Sequence, residues 1–177
     1  MHVFLIAAVL MTAVAAWTDA RTGHIPNWVT LLPLGIAPVA HAVFACVRGG
    51  GKEALFAAAY SIVGAFVCAL VPLLLYRASA IGGGDVKVLA ALGAICMPML
   101  GIEAELYGFV AAAVIAPARL AYEGKLFATL GNTARLVGNP LLPKDKRRTS
   151  EPASMTWFRM GPAIFLGTLG AVFASWR

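Results

Sequence analysis

The chain has 177 residues, 60% of them hydrophobic and 12% charged, with a formal net charge of +6 and a mean hydropathy of +0.83. These values exclude an ordinary soluble domain and a disordered chain, and place residues 1–177 in one integral membrane domain. The basic excess is spread as a membrane-orientation signal rather than gathered into a nucleic-acid surface, so no nucleic-acid partner is expected.

A helix needs roughly 20 apolar residues to cross the hydrocarbon core, with about 17 as a lower limit. Six stretches meet or approach this: 2–17, 28–47, 54–76, 86–102, 104–122 and 156–176. Their apolar residues are continuous, whereas barrel strands alternate, and backbone groups in lipid must be satisfied internally. The predicted fold is all-α, a polytopic membrane protein with six transmembrane helices.

The first stretch ends in small residues before Trp17 and also reads as a signal peptide. Met1-His2 supplies no basic leader, however, which favours a retained anchor. Loop 1–2 runs Trp17-Thr-Asp-Ala-Arg-Thr-Gly-His-Ile-Pro-Asn27; Pro26 marks a helix start, and Asn27 is expected to cap the second span. Loop 2–3, Arg48-Gly-Gly-Gly-Lys52, is a short turn without the Ser or Thr of a phosphate loop. Span three contains Gly64 and Pro72, which permit close helix approach.

Loop 3–4 carries Gly82-Gly-Gly-Asp-Val-Lys87. Span four is short and holds Pro98, so a re-entrant segment is an alternative. Spans four and five form a tight hairpin with Glu103 and Glu105 at its external tip. Residues 123–155 are the one extended polar stretch, read as an interfacial amphipathic helix followed by a basic linker. Near the start of span six, Gly161-Pro162-Ala163-Ile164 either kinks the helix or lets another backbone approach.

Cys46, Cys68 and Cys96 fall in three separate apolar stretches, with no CxxC pair and no histidine cluster. They read as small buried hydrophobes, and neither metal nor cofactor is expected. With six spans, eleven of the fourteen Lys and Arg lie on one side and Arg48, Lys52 and Arg177 on the other. Basic residues mark the cytoplasmic face, which puts the amino terminus outside and loops 1–2 and 3–4 inside.

Asp19 and Asp85 therefore face the same side, each where an apolar segment meets a polar turn. Each has a structural reading too: Asp85 as a helix cap, Asp19 as an interfacial residue paired with Arg21 or His24. Together, two carboxylates on one face can divide the roles of acid and base and activate a water against a peptide carbonyl. The glycines before Asp85 leave room for a substrate backbone, while Lys87 and the helix amino terminus favour an ionised Asp85, which leans it toward the base role.

Asp-x-Arg-x-x-x-Ile-Pro-Asn at 19–27 with Gly-x-Gly-Asp-x-Lys at 82–87 resembles the type IV prepilin peptidases, the GxGD class of membrane aspartyl proteases. Pro162-Ala163-Ile164 followed by Gly167 also looks like that family's last helix. The resemblance implies that Asp19 and Asp85 are catalytic, with Arg21, Pro26 and Asn27 shaping one site, Gly82, Gly84 and Lys87 the other, and Pro162 adjoining. The chain lacks the insertion with paired CxxC zinc ligands of bifunctional members, so it is similar to the short, peptidase-only CpaA/TadV type of the tight-adherence (Flp) pilus.

That likeness implies an endopeptidase of the bacterial inner membrane, acting at the cytoplasmic face on prepilins and pseudopilins. Two other classes fit the composition: a small proton-coupled transporter with Asp19 and Asp85 as relay groups, and a non-catalytic subunit of a secretion apparatus. The first prefers acids near the middle of spans and a repeat between halves, neither of which the sequence displays; the second predicts tolerance of Asp→Asn changes.

Overall fold

In the computed structural model residues 2–124 and 159–176 are described. They form five α-helices: α1 (His2–Thr22), α2 (Asn27–Gly49), α3 (Gly51–Arg77), α4 (Gly83–Tyr122) and α5 (Gly161–Ser175). The described residues contain no strand, in keeping with the all-α prediction. The amphipathic helix and basic linker expected within 123–155 lie, from residue 125 on, outside the described residues. Contacts divide the chain into a unit of 1–112 with 159–177 and a second unit of 113–158. The described part of the second holds the end of α4 and an Arg119–Glu123 ion pair at 3.0 Å.

Four helices, α1 to α4, are long and apolar enough to cross a membrane, whereas α5 has 15 residues. Large apolar side chains on α2 and α3, among them Val43, Val47, Phe56, Phe66, Leu70 and Leu74, are exposed, as expected of surfaces that meet lipid. The helices do not reproduce the six predicted spans. The fourth and fifth form one element, α4, and the described part of the sixth is a short helix.

The difference has a local cause. Within α4, Met97 leaves the helical region at φ 63°, ψ 170°. Pro98 follows, and a proline disfavours helical backbone at the residue before it. A methyl group on Gly101 would lie only 2.9 Å from the Gly93 Cα, although eight residues of straight helix separate their ends by about 12 Å. The chain thus folds back at Met97, six residues before the predicted tip at Glu103. Glu105 is accordingly buried, 7% exposed, rather than at an external turn.

Breaking a helix frees the carbonyls of its last turn, and lipid offers them no donors. Two neighbouring helices supply them. Ser61 Oγ on α3 donates to the Ala94 carbonyl at 2.7 Å, and His41 Nε2 on α2 donates to that of Ile95 at 2.9 Å. The His41 ring is stacked on Phe4 of α1, with centroids 3.8 Å apart.

Small residues bring the helices close. A methyl group on Gly64 would overlap the Gly93 carbonyl oxygen, and one on Gly167 would overlap the Gly108 backbone, so α3 and α5 each lie directly against an arm of α4. Helices α1 and α5 run antiparallel, with Asp19 beside Gly161 at one end and His2 beside Trp176 at the other. Helices α2 and α3, joined through Gly50 alone, pack on each other. Between α1 and α2 an apolar cavity of about 480 Å³ is lined by Leu10, Val14, Trp28 and Leu32, among others.

Candidate active site

Asp19 lies in the last turn of α1. Gly23, at φ +67°, ends the helix by donating its N–H to the Asp19 carbonyl at 2.9 Å, a left-handed termination that glycine adopts without steric cost. The chain then crosses His24 and Ile25 to Pro26, which is extended (φ −62°, ψ 140°), and α2 begins at Asn27. The predicted helix start is therefore observed. The predicted cap is not, because Pro26 occupies the cap position and no side chain bonds there. Asn27 Oδ1 instead accepts a hydrogen bond from Lys87 Nζ at 2.9 Å.

Asp85 sits in the first turn of α4, whose start at Gly83 precedes the predicted boundary of 86. Its Oδ2 accepts the Gly82 N–H at 3.2 Å, the reach-back half of a capping box. The capping reading of Asp85 thus holds for one of its oxygens. The Lys87 ammonium, expected to favour its charge, is turned to Asn27.

The glycines of the turn let it lie close on its surroundings. A methyl group on Gly84 would stand 3.4 Å from Ile25 Cβ, and one on Gly83 would stand 3.4 Å from the Tyr76 ring. Ile25 is itself buried. Two contacts, Gly84 with Ile25 and Lys87 with Asn27, therefore join the sequence around Asp85 to the sequence around Asp19.

Asp19 makes no ion pair among the described residues. The Arg21 guanidinium lies over the Trp17 ring, 4.0 Å from its centroid, and the His24 N–H goes to Thr22 Oγ1 at 3.3 Å. The partner of Asp19 is the Gly161 N–H at the start of α5, which donates to Oδ2 at 2.9 Å. Pro162 falls in the first turn of α5, where its missing N–H leaves no gap. It opens the helix rather than kinking it.

Both aspartates are 7% exposed. Each Oδ2 accepts a fixed backbone N–H. No three His, Cys, Asp or Glu side chains come together as a metal site among the described residues.

The sequence reading missed the Gly161 amide, the Ile25 contact and the Arg159 side chain, which donates to the Ala20 carbonyl. The Gly161-Pro162 pair carried a usable signal, since proline is favoured at the first position of a helix.

No curated protein and no solved structure matches the chain. The model of the type IV leader peptidase family matches residues 5–117, which include both aspartates and six of the seven residues expected to shape the site, Arg21, Pro26, Asn27, Gly82, Gly84 and Lys87, with Pro162 beyond the match. With more than half of its length matched and two buried carboxylates gathered at one end of a helical membrane fold, the chain belongs to the type IV leader peptidase family.

Proposed function

We propose that the protein is a membrane-embedded aspartyl endopeptidase that removes the basic leader from Flp-type prepilins and pseudopilins at the cytoplasmic face of the bacterial inner membrane. Its family membership makes it a protease. The observation that carries the aspartyl reading is the burial of Asp19 and Asp85, 7% exposed each, at helix ends whose turns touch through Gly84 and Ile25 and through Lys87 and Asn27.

In this reading Asp19 and Asp85 hold one water between them. The ionised carboxylate takes a proton as the water attacks the scissile carbonyl, and the protonated one donates to the carbonyl oxygen or the departing amine. Fixed hydrogen bonds to each Oδ2 leave Oδ1 as the oxygen turned to the reaction. The bare backbone of Gly82 and Gly84 admits an extended peptide. Arg21, Pro26, Asn27, Lys87 and Pro162 shape the surroundings, and the substrate's apolar helix stays in the bilayer. The distribution of basic residues supports a cytoplasmic site.

Co-expression with a candidate prepilin, followed by a gel shift of the trimmed product, tests the proposal. Asp19→Asn and Asp85→Asn are each expected to abolish trimming while the protein still accumulates in the membrane. Undiminished processing by both variants would overturn it.

A further inference from the structure

We propose that the backbone amide of Gly161 seats Asp19 for catalysis and that Arg159 holds the amide in place, so the first turn of α5 is a positioning device for one carboxylate. The inference rests on the reading of Asp19 as catalytic.

A carboxylate on the last turn of a helix turns freely about its outer bonds unless something holds it. The Gly161 N–H does so, donating to Asp19 Oδ2 at 2.9 Å. As a first-turn amide of α5 it has no partner within its own helix and is free to bind a neighbour, and the positive end of the helix dipole favours a carboxylate there.

The fit depends on residue 161 having no side chain. A methyl group there would lie 2.8 Å from Asp19 Cβ, 2.9 Å from Asp19 Oδ2 and 3.2 Å from Ala16 Cα. Ala16 and Asp19 are neighbours on one face of α1, three residues apart, so α5 begins in the notch between them. Alanine at 161 would have to push the amide away from the oxygen it holds.

Arg159 closes the arrangement. Two residues before Gly161, its guanidinium donates to the Ala20 carbonyl, one of those left open where α1 ends at Thr22. Gly23 leaves room for it, since even an added methyl group at Gly23 would stay 3.8 Å from Arg159 Nε and Nη2. Asp19 is thus bracketed, with Arg159 on the residue after it and Gly161 on its own side chain. Arg159 touches neither the carboxylate nor the reacting atoms by this account and acts as a positioning residue.

The test uses the purified full-length enzyme in proteoliposomes with a prepilin substrate. It reads kcat and KM per folded molecule, with the folded fraction set by size exclusion and thermal melting. Gly161→Ala is expected to lower kcat on the order of 100-fold with KM held within about threefold, because a displaced catalytic group loses rate rather than substrate binding. Arg159→Met should lose about tenfold in kcat, and Arg159→Lys, which keeps a donor, should recover part of that loss. Gly170→Ala, whose methyl would press on Tyr107 at 3.2 Å, perturbs the same helix away from Asp19 and should lower the melting temperature while leaving kcat intact.

If Asp19→Asn is inactive while Gly161→Ala and Arg159→Met keep kcat within about twofold of the parent, the positioning role is overturned and the catalytic reading of Asp19 stands. Full activity in Asp19→Asn overturns both. Should Gly161→Ala fail to fold, the Arg159 pair decides: equal kcat in the Lys and Met variants counts against the proposal.

Discussion

Replacing Ser61 by alanine probes the reversal at Met97 with the smallest change the fold allows. The Ser61 hydroxyl is fully buried and donates to the Ala94 carbonyl at 2.7 Å; alanine removes that donor and almost no volume. Leaving a buried acceptor unmatched costs about 1–3 kcal/mol. Side-chain hydrogen bonds between membrane helices average nearer 0.6 kcal/mol, because the unfolded state in lipid finds other partners. The larger range applies here, because the Ala94 carbonyl precedes a helix break and its usual partner four residues on, Pro98, has no N–H. An expected loss of about 1–2 kcal/mol corresponds to a fall in melting temperature of roughly 2–8 °C for a chain of this size. Fluorescence-monitored melting of the purified protein in one detergent measures it. His41→Leu, which strips the donor from the next carbonyl, should fall in the same range, and the double variant should lose less than the sum because both serve one turn. A Ser61→Ala variant that melts with the parent would refute the claim that the reversal depends on borrowed donors.

Three more expectations bear on the site and its frame. Lys87→Met and Asn27→Leu each remove one bridge between the two aspartate sequences; in a double-mutant cycle on kcat/KM the pair should be no worse than the poorer single variant, and additive losses would show that the contact does not act as a unit. Arg21→Gln gives up a guanidinium that rests on Trp17, so processing should fall by only about twofold to fivefold, and a loss as complete as that of Asp19→Asn would place Arg21 at the reaction. Gly35, with nothing within 4 Å of an added methyl, and Gly64, whose methyl would overlap Gly93, make a contrasting pair. Melting should show Gly35→Ala neutral or stabilised by about 0.5–1 kcal/mol and Gly64→Ala destabilised by about 1–3 kcal/mol, and equal effects would contradict the observed packing.

The legible features were those written in local chemistry. The apolar runs gave the helices, Pro26 gave the start of α2, and the glycine-aspartate turn gave the start of α4 to within three residues. The return of the chain at Met97 was half legible: Pro98 marked span four as weak, but the sequence alone did not locate the bend one residue before it. Partners supplied across the bundle were not legible. His41 and Ser61 lie 54 and 33 residues from the carbonyls they serve, and Gly161 lies 142 residues from Asp19. Nothing in the neighbourhood of either member of such a pair encodes the other. A glycine selected for a close approach looks, in sequence, like one selected for a bend.

That last separation also orders events during synthesis. At elongation rates of about 5–20 residues per second, the 142 residues between Asp19 and Gly161 take roughly 7–28 s to make. Through that interval a nascent chain already inserted at α1 carries Asp19 without its amide donor. A product truncated before residue 159 would hold both acidic motifs and still lack the contact that orients one of them, so the ribosome delivers an oriented Asp19 only after α5 has begun to emerge.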